Sequence, residues 1–155
     1  METKENIITL SLGKTKNGEA ILTSENFGDF AEKKIQEYNE SPIPKNNKGN
    51  PMYAKITRTK IRAILDLVNK VYNRVMYLDS ETLTSEQVAD IAYIKVKIAY
   101  EAGRDAGVKD FIEATGLMKP INSILNRKQK ADFLLYARYV ESLVAYFKYY
   151  GGKDN

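Results

Sequence analysis

Charged side chains recur at every fourth position in one stretch of the chain, and four of the five are basic: Arg58, Arg62, Asp66, Lys70 and Arg74. Residues four apart are neighbours on a helix, so these five would form one row along its flank. At 1.5 Å per residue the row is about 24 Å long, and it winds slowly around the axis because four residues overshoot one turn. Cations in such a row can hold phosphate groups. The same pattern is typical of a solvated helix face on which Asp66 bridges Arg62 and Lys70.

A second row interleaves aromatic and basic side chains: Tyr93, Lys97, Tyr100 and Arg104. Lys95 is one step from this row, and Glu101 is placed to neutralise Lys97. Aromatic rings stack on nucleobases while neighbouring cations hold phosphates, so the row suits a nucleic acid. Tyrosines at helical spacing are more often part of a core edge, where the ring is buried and the hydroxyl stays hydrated. Both interpretations remain open from the sequence.

Three further sets of charges have ordinary structural explanations. A basic turn between two predicted helices contains Arg127, Lys128 and Lys130. Arg138 and Glu141 are spaced as an i,i+3 pair, and Lys148 falls near a helix C-terminus, where a cation meets the helix dipole favourably. None of these sets by itself indicates a function.

The residue types that are missing exclude much of enzyme chemistry. The chain has no Cys and no His, so it can form no disulfide, no Cys/His zinc site, no thiolate nucleophile and no imidazole base. A carboxylate di-metal site in a helical bundle would require Glu-x-x-His motifs. The acidic residues fall at predicted helix starts or on outward faces. We therefore expect no catalytic residue, no metal and no cofactor.

Length and composition indicate one ordinary domain. The 155 residues are 43% hydrophobic and 28% charged, and a chain of this length buries enough surface to need no crosslink. Residues 1–50 sum to a charge of −1 and residues 51–155 to +5, so the basic character lies in the second part. No apolar run is long enough to span a membrane and no signal peptide is visible, so we expect a cytoplasmic protein without membrane contact.

The N-terminal 22 residues give an ambiguous pattern. Ile8, Leu10 and Leu12 alternate with polar residues, and Asn17-Gly18 is a strong hairpin-turn signal. An isolated two-stranded ribbon is marginal in water, so this extension is either a small hairpin or a frayed or docked segment.

The hydrophobic periodicity of residues 23–155 predicts a compact all-α bundle of about five helices. The first helix is capped by Ser24 and ends near Tyr38, and a Pro/Gly/Asn-rich linker follows over 41–53. The second begins near Thr57 or Thr59, and the third begins at the capping box of Thr84 and ends at Gly103 and Gly107.

Two more helices complete the bundle. The fourth starts at Val108, is broken or kinked at Gly116 and Pro120, and resumes its period at Ile121. The last is the most apolar and runs from about Lys130 until Gly151-Gly152 stops it. Its predicted inward side chains are Phe133, Leu134, Ala137, Val140, Val144 and Phe147.

Several blocks of this sequence resemble the small helical subunit of type III-A CRISPR–Cas (Csm) interference complexes. The resemblance covers about Ala20 to the C-terminus and is most specific in the last block. The matching blocks are Ile61-Arg62, Tyr93-Ile94-Lys95, Tyr100-Glu101-Ala102-Gly103-Arg104, Val108-Lys109-Asp110-Phe111 and residues 138–154, RYVESLVAYFKYYGGKD.

Membership in that family would imply a non-catalytic assembly subunit. Its copies would stack head to tail beside a backbone of guide-RNA-binding subunits, and the resulting minor filament would line the groove that holds the guide–target RNA duplex. Its partners would be guide RNA, target RNA, the backbone and large subunits, and further copies of itself. The alternative is a helical protein–protein adaptor whose basic faces serve solubility only.

The resemblance also selects candidate RNA-binding residues. The basic residues inside matching blocks are Arg62, Lys95, Arg104, Arg138 and Lys148. The two rows add Arg58, Lys60 and Lys97. Such residues would contact phosphates and 2′-hydroxyls without reading sequence, because side chains cannot enter the narrow major groove of an A-form duplex.

Overall fold

The computed structural model describes residues 9–15 and 18–151 and contains a short hairpin followed by six helices in that part of the chain. The elements are β1 (Thr9–Thr15), β2 (Gly18–Thr23), α1 (Phe27–Glu40), α2 (Arg58–Val75), α3 (Ser85–Arg104), α4 (Ala106–Thr115), α5 (Lys119–Arg127) and α6 (Lys130–Tyr149). The helical fold class is confirmed. Among the described residues, no helix is both long and apolar enough to span a membrane.

The structure has one helix more than predicted, because the predicted fourth helix is divided into α4 and α5. Gly116 ends α4 in the left-handed conformation, at φ 69°, and Pro120 lies in the first turn of α5. A left-handed residue reverses the chain direction, and proline is well tolerated at the start of a helix. The segment is therefore two helices rather than one kinked helix.

Helix α6 is buried around most of its circumference. It packs against α1 on one side and α2 on the other. The predicted Phe133, Ala137, Val140 and Phe147 are buried, whereas Leu134 and Val144 are only partly buried. The prediction missed five further buried side chains of α6, which are Asp132, Leu135, Tyr136, Tyr139 and Leu143.

The prediction that the tyrosine hydroxyls stay hydrated at the core edge is wrong for three rings. Tyr139 donates a hydrogen bond to the Thr115 carbonyl at 2.6 Å, and Tyr136 donates to the Leu117 carbonyl at 3.0 Å. The Tyr38 hydroxyl accepts from the Ile56 N–H at 3.0 Å, and burial raises the pKa of Tyr38 to about 12. A buried hydroxyl needs such a partner.

Helices begin at residues that cap them locally, and the structure corrects two predicted boundaries, the start of α1 and the end of α3. Thr57 caps α2 and Thr84 forms the predicted capping box of α3. Ser24 is not the cap of α1, because the Asn26 side chain accepts from the Thr23 N–H at 2.7 Å and donates to the Ile21 carbonyl, forming a turn that delays the helix to Phe27. Gly107 does not end α3 but lies in the first turn of α4.

The N-terminal extension forms the hairpin, and it is docked on the helices. Its antiparallel register pairs Leu10 with Leu22, both of which are buried, and β1 contacts α5 and α6. Ile8 and Asn17 of the predicted hairpin, and Gly152 of the predicted C-terminal stop, lie outside the described residues.

The segment between α1 and α2 keeps a local hydrogen-bonded turn. The Asn46 side-chain oxygen accepts from the Lys48 and Asn50 N–H groups at 2.9 and 3.0 Å, and Gly49 has φ 79°. After this turn, Ala54 approaches the first turn of α4 closely enough to exclude a side chain at Gly107.

We expect Gly107→Ala to lower the free energy of unfolding by about 1–3 kcal/mol, because overpacking a tight backbone contact displaces one of the two segments. A Cβ at Gly107 would lie 2.1 Å from the Ala54 carbonyl oxygen. The matched control is Gly103→Ala, whose Cβ would meet nothing within 4 Å. Urea unfolding measures both, and equal stability of the two variants would contradict the close contact.

Candidate nucleic-acid interface

Helix α2 lies between α6 and α3, and this arrangement determines where its row of cations points. The row winds about 40° with each step of four residues. Arg58, at its start, lies beside α6, and Arg74, at its end, donates to Asp90 of α3 at 3.2 Å. The row therefore crosses the exposed face of α2 from one neighbouring helix to the other.

Three predicted site residues meet in the depression between α2 and α6, which we call the α2–α6 groove. Arg58, Arg62 and Lys148 line it together with Thr59, Ile61, Val144 and Phe147, and it encloses about 270 Å³. No carboxylate is among these lining residues. Like charges placed together attract a polyanion and focus its approach. This groove is the most positive concave surface that the predicted residues form.

The ion pairs expected to neutralise neighbouring cations do not form in the described part of the chain. No contact within 4.0 Å joins Asp66 to Arg62 or Lys70, and none joins Arg138 to Glu141. Arg62 and Arg138 are both exposed. Arg138 lies on the outer face of α6, outside the residues that line the groove. The interpretation of the first row as an internally bridged face is therefore wrong for Arg62.

A second depression, the α2–α3 groove, encloses about 560 Å³ on the other side of α2. Tyr93, Lys97 and Tyr100 of the second predicted row line it, whereas Arg104 is not among its lining residues. Lys97 lies over the Tyr93 ring, 4.9 Å from its centroid, and Arg104 lies over the Tyr100 ring at 5.5 Å. Glu101 pairs with Arg104 at 3.7 Å and not, as expected, with Lys97.

Lys60 lines the same α2–α3 groove and is held by Asp105, which connects α3 to α4. The other oxygen of Asp105 accepts from the Gly107 N–H at 2.9 Å and caps α4. Sequence reasoning missed this role of Asp105. An Asp directly before a new helix is a preferred N-cap and would have been the signal.

Lys95 does not join the other candidates. It is on the opposite flank of α3 from Tyr93 and donates to the Asn122 side-chain oxygen of α5 at 2.6 Å. The prediction that it accompanies the second row is wrong, because residues two positions apart on a helix differ by about 200° in direction. Its observed contact ties α3 to α5.

The basic turn near Arg127 also has structural contacts. The Arg127 Nε lies 3.3 Å from Asp132, whose burial raises its carboxyl pKa while the guanidinium opposes that rise. Lys130 donates to the Leu78 carbonyl at 2.7 Å. These contacts tie the start of α6 to α5 and to the connection between α2 and α3.

The described residues hold no group of three or more carboxylates placed to bind a metal ion. The fold and surface thus define a small helical protein with two adjoining grooves, one cationic and one mixed aromatic and basic.

Comparison with known proteins gives the family. The family model described as Csm2 Type III-A matches residues 44–153. A protein of Enterococcus italicus called CRISPR system Cms protein Csm2 is 38% identical over 144 residues, covering 91% of this chain and 97% of that protein. Proteins with the same name from Streptococcus thermophilus and Mycobacterium tuberculosis are 40% identical over 135 residues and 28% identical over 112. The alignment with the Streptococcus thermophilus protein covers 87% of this chain and 99% of that protein. The alignment with the Mycobacterium tuberculosis protein covers 72% of this chain and 86% of that protein. The chain belongs to the Csm2 type III-A family, which confirms the resemblance found in the sequence.

Asp105→Ala should lower the free energy of unfolding by about 1–2 kcal/mol, because it removes the cap of α4. Lys60→Met should cost at most about 1 kcal/mol, since it breaks only a partly exposed ion pair. Chemical denaturation of both variants separates the stabilisation by the cap of α4 from the stabilisation by the Lys60–Asp105 ion pair. Equal losses would show that the ion pair, and not the cap, carries the stabilisation.

Proposed function

We propose that this chain is a non-catalytic small subunit of a cytoplasmic type III-A CRISPR RNA-guided effector complex, in which the α2–α6 groove contacts the backbone of the guide or target RNA. Membership in the Csm2 type III-A family supports the place in the complex. The observation that carries the RNA contact is the convergence of Arg58, Arg62 and Lys148 on one groove between α2 and α6.

The chemistry of the groove fits phosphates better than base edges. Arginine offers five N–H donors in a planar fork that matches phosphate oxygens, and lysine adds a compact positive charge. All three cations are carried by helices that pack on the core, so their positions are set by α2 and α6 rather than by a loop. Contacts of this kind do not depend on sequence, and base pairing supplies the sequence recognition.

Stacking of several copies follows from the small size of each groove. One groove with three cations neutralises only a few phosphates, so a single subunit binds RNA weakly. Head-to-tail copies would align successive grooves into one track beside the backbone subunits, and the effective concentration of each next groove would rise. Arg138, on the outer face of α6, is available either to this track or to a neighbouring subunit.

The competing function is a helical protein–protein adaptor whose cations only maintain solubility. The two functions differ in how RNA affinity responds to salt, because each phosphate contact releases condensed counterions. An adaptor has no such contacts.

If three or four phosphates are contacted per subunit, the logarithm of the affinity for single-stranded RNA should fall with the logarithm of salt concentration at a slope of roughly −2 to −3. Fluorescence anisotropy of the full chain with a labelled oligonucleotide measures this slope. Incubation of the same RNA with protein and magnesium or manganese should leave it intact. A flat salt dependence would favour the adaptor.

Arg62→Ala and Lys148→Ala should each weaken RNA retention by the assembled complex roughly 3- to 5-fold and make the salt slope shallower by about 0.7. Arg74→Ala is the matched control, because it removes the same kind of cation from α2 where Arg74 pairs with Asp90, outside the groove. The thermal midpoints of all three variants should stay close to that of the parent. An equal effect of Arg74→Ala on retention would refute a localised track.

A further inference from the structure

We propose that Tyr93 and Tyr100 form a platform on which unpaired bases of single-stranded RNA stack in the α2–α3 groove. This inference rests on the proposed function, since it assigns a second kind of RNA contact to the surface beside the α2–α6 groove. The RNA would then be bound through the faces of its bases as well as through its phosphates.

The first observation is the exposure of the two rings. Tyr93 is 58% exposed and Tyr100 is 64% exposed, although α3 buries its other face in the core. The tyrosines that the fold uses for packing, Tyr38, Tyr136 and Tyr139, are at most 1% exposed and have hydrogen-bonded hydroxyls. Packing therefore does not explain Tyr93 and Tyr100.

The second observation is that each of these two rings has a cation over it. Lys97 is 4.9 Å from the Tyr93 centroid, and Arg104 is 5.5 Å from the Tyr100 centroid. A ring with a neighbouring cation matches the two parts of a nucleotide, because the base stacks on the ring and the phosphate meets the cation. The rings are seven residues apart, which is about two helical turns, so each can take a separate base.

The cations of this groove can be recruited by a phosphate. Within the described residues, no carboxylate lies in ion-pair distance of Lys97. Arg104 pairs with Glu101 at 3.7 Å, but their side chains are 61% and 41% exposed, so water weakens the pair. Replacing the Glu101 carboxylate by a phosphate oxygen as the partner of Arg104 therefore costs little free energy.

The rest of the groove favours a nucleobase over a protein side chain. Leu67 and Val96 supply apolar surface, and Lys60 lines the same groove from α2. The centres of protein–protein interfaces are depleted in charged residues, especially lysine, whereas here a cation accompanies each exposed ring. The ligand is single-stranded RNA, since a duplex stacks and pairs its own bases.

The test compares two RNA oligonucleotides of equal length, one normal and one with abasic positions, so that both carry the same phosphates. Tyr93→Leu and Tyr100→Leu should each weaken binding of the normal strand about 5- to 140-fold, the range expected for loss of one stacked base. Both variants should bind the abasic strand as the parent does, with the salt slope unchanged. Tyr93→Phe and Tyr100→Phe keep the ring and should keep the affinity for the normal strand.

The possible failures are distinguishable. If the Leu variants bind the normal strand as tightly as the parent while the salt slope stays steep, the platform is refuted and the phosphate contacts stand. If binding of either strand is independent of salt, the proposed function fails and this inference fails with it. If the Leu variants lower incorporation into the assembled complex without changing RNA affinity, the groove holds a protein and the platform is refuted.

Discussion

The burial of α6 is the constraint on which the rest of the structure depends. Nine of its residues are buried, so it requires neighbours on several sides, and α1 and α2 provide two of them. Tyr136 and Tyr139 bring polar hydroxyls into that interior, and only the carbonyls around the end of α4 satisfy them. The left-handed Gly116 lies between those two carbonyls, at Thr115 and Leu117. The burial of one helix thus also fixes the turn from α4 to α5.

Both grooves follow from the place of α2 in this arrangement. One flank of α2 packs on α6 and the other on α3, so cations of α2 reach two depressions: Arg58 and Arg62 line the α2–α6 groove, and Lys60 lines the α2–α3 groove. The α2–α6 groove receives the cations Arg58, Arg62 and Lys148. The α2–α3 groove receives cations beside exposed rings and two acidic neighbours, Glu101 and Asp105. The difference in charge and aromatic content explains why we assign phosphates to the first groove and base faces to the second.

The family model matches the part of the chain that builds both grooves. The matched residues 44–153 include α2 to α6, the helices that build both grooves. The hairpin and α1 precede that range. They contribute to the same core through Leu10, Leu22 and Tyr38, and the Tyr38 ring meets Phe111 of α4 edge-on at 5.2 Å between centroids. Their role in the described structure is to cover apolar surface of the groove-bearing helices.

The sequence by itself determined the helical class, most helix boundaries and the family, because 3.6-residue periodicity, capping residues and the matching blocks are local signals. It also excluded thiol and imidazole chemistry through composition alone. Only the tertiary structure decided which candidates meet. Lys95 contacts α5 instead of lying in the second row. Glu101 forms an ion pair with Arg104 rather than with Lys97. Helix α6 buries tyrosines that an amphipathic pattern places at the edge of the core. Periodicity gives the direction of a side chain around its own helix axis, but the neighbour it meets depends on how separate helices pack.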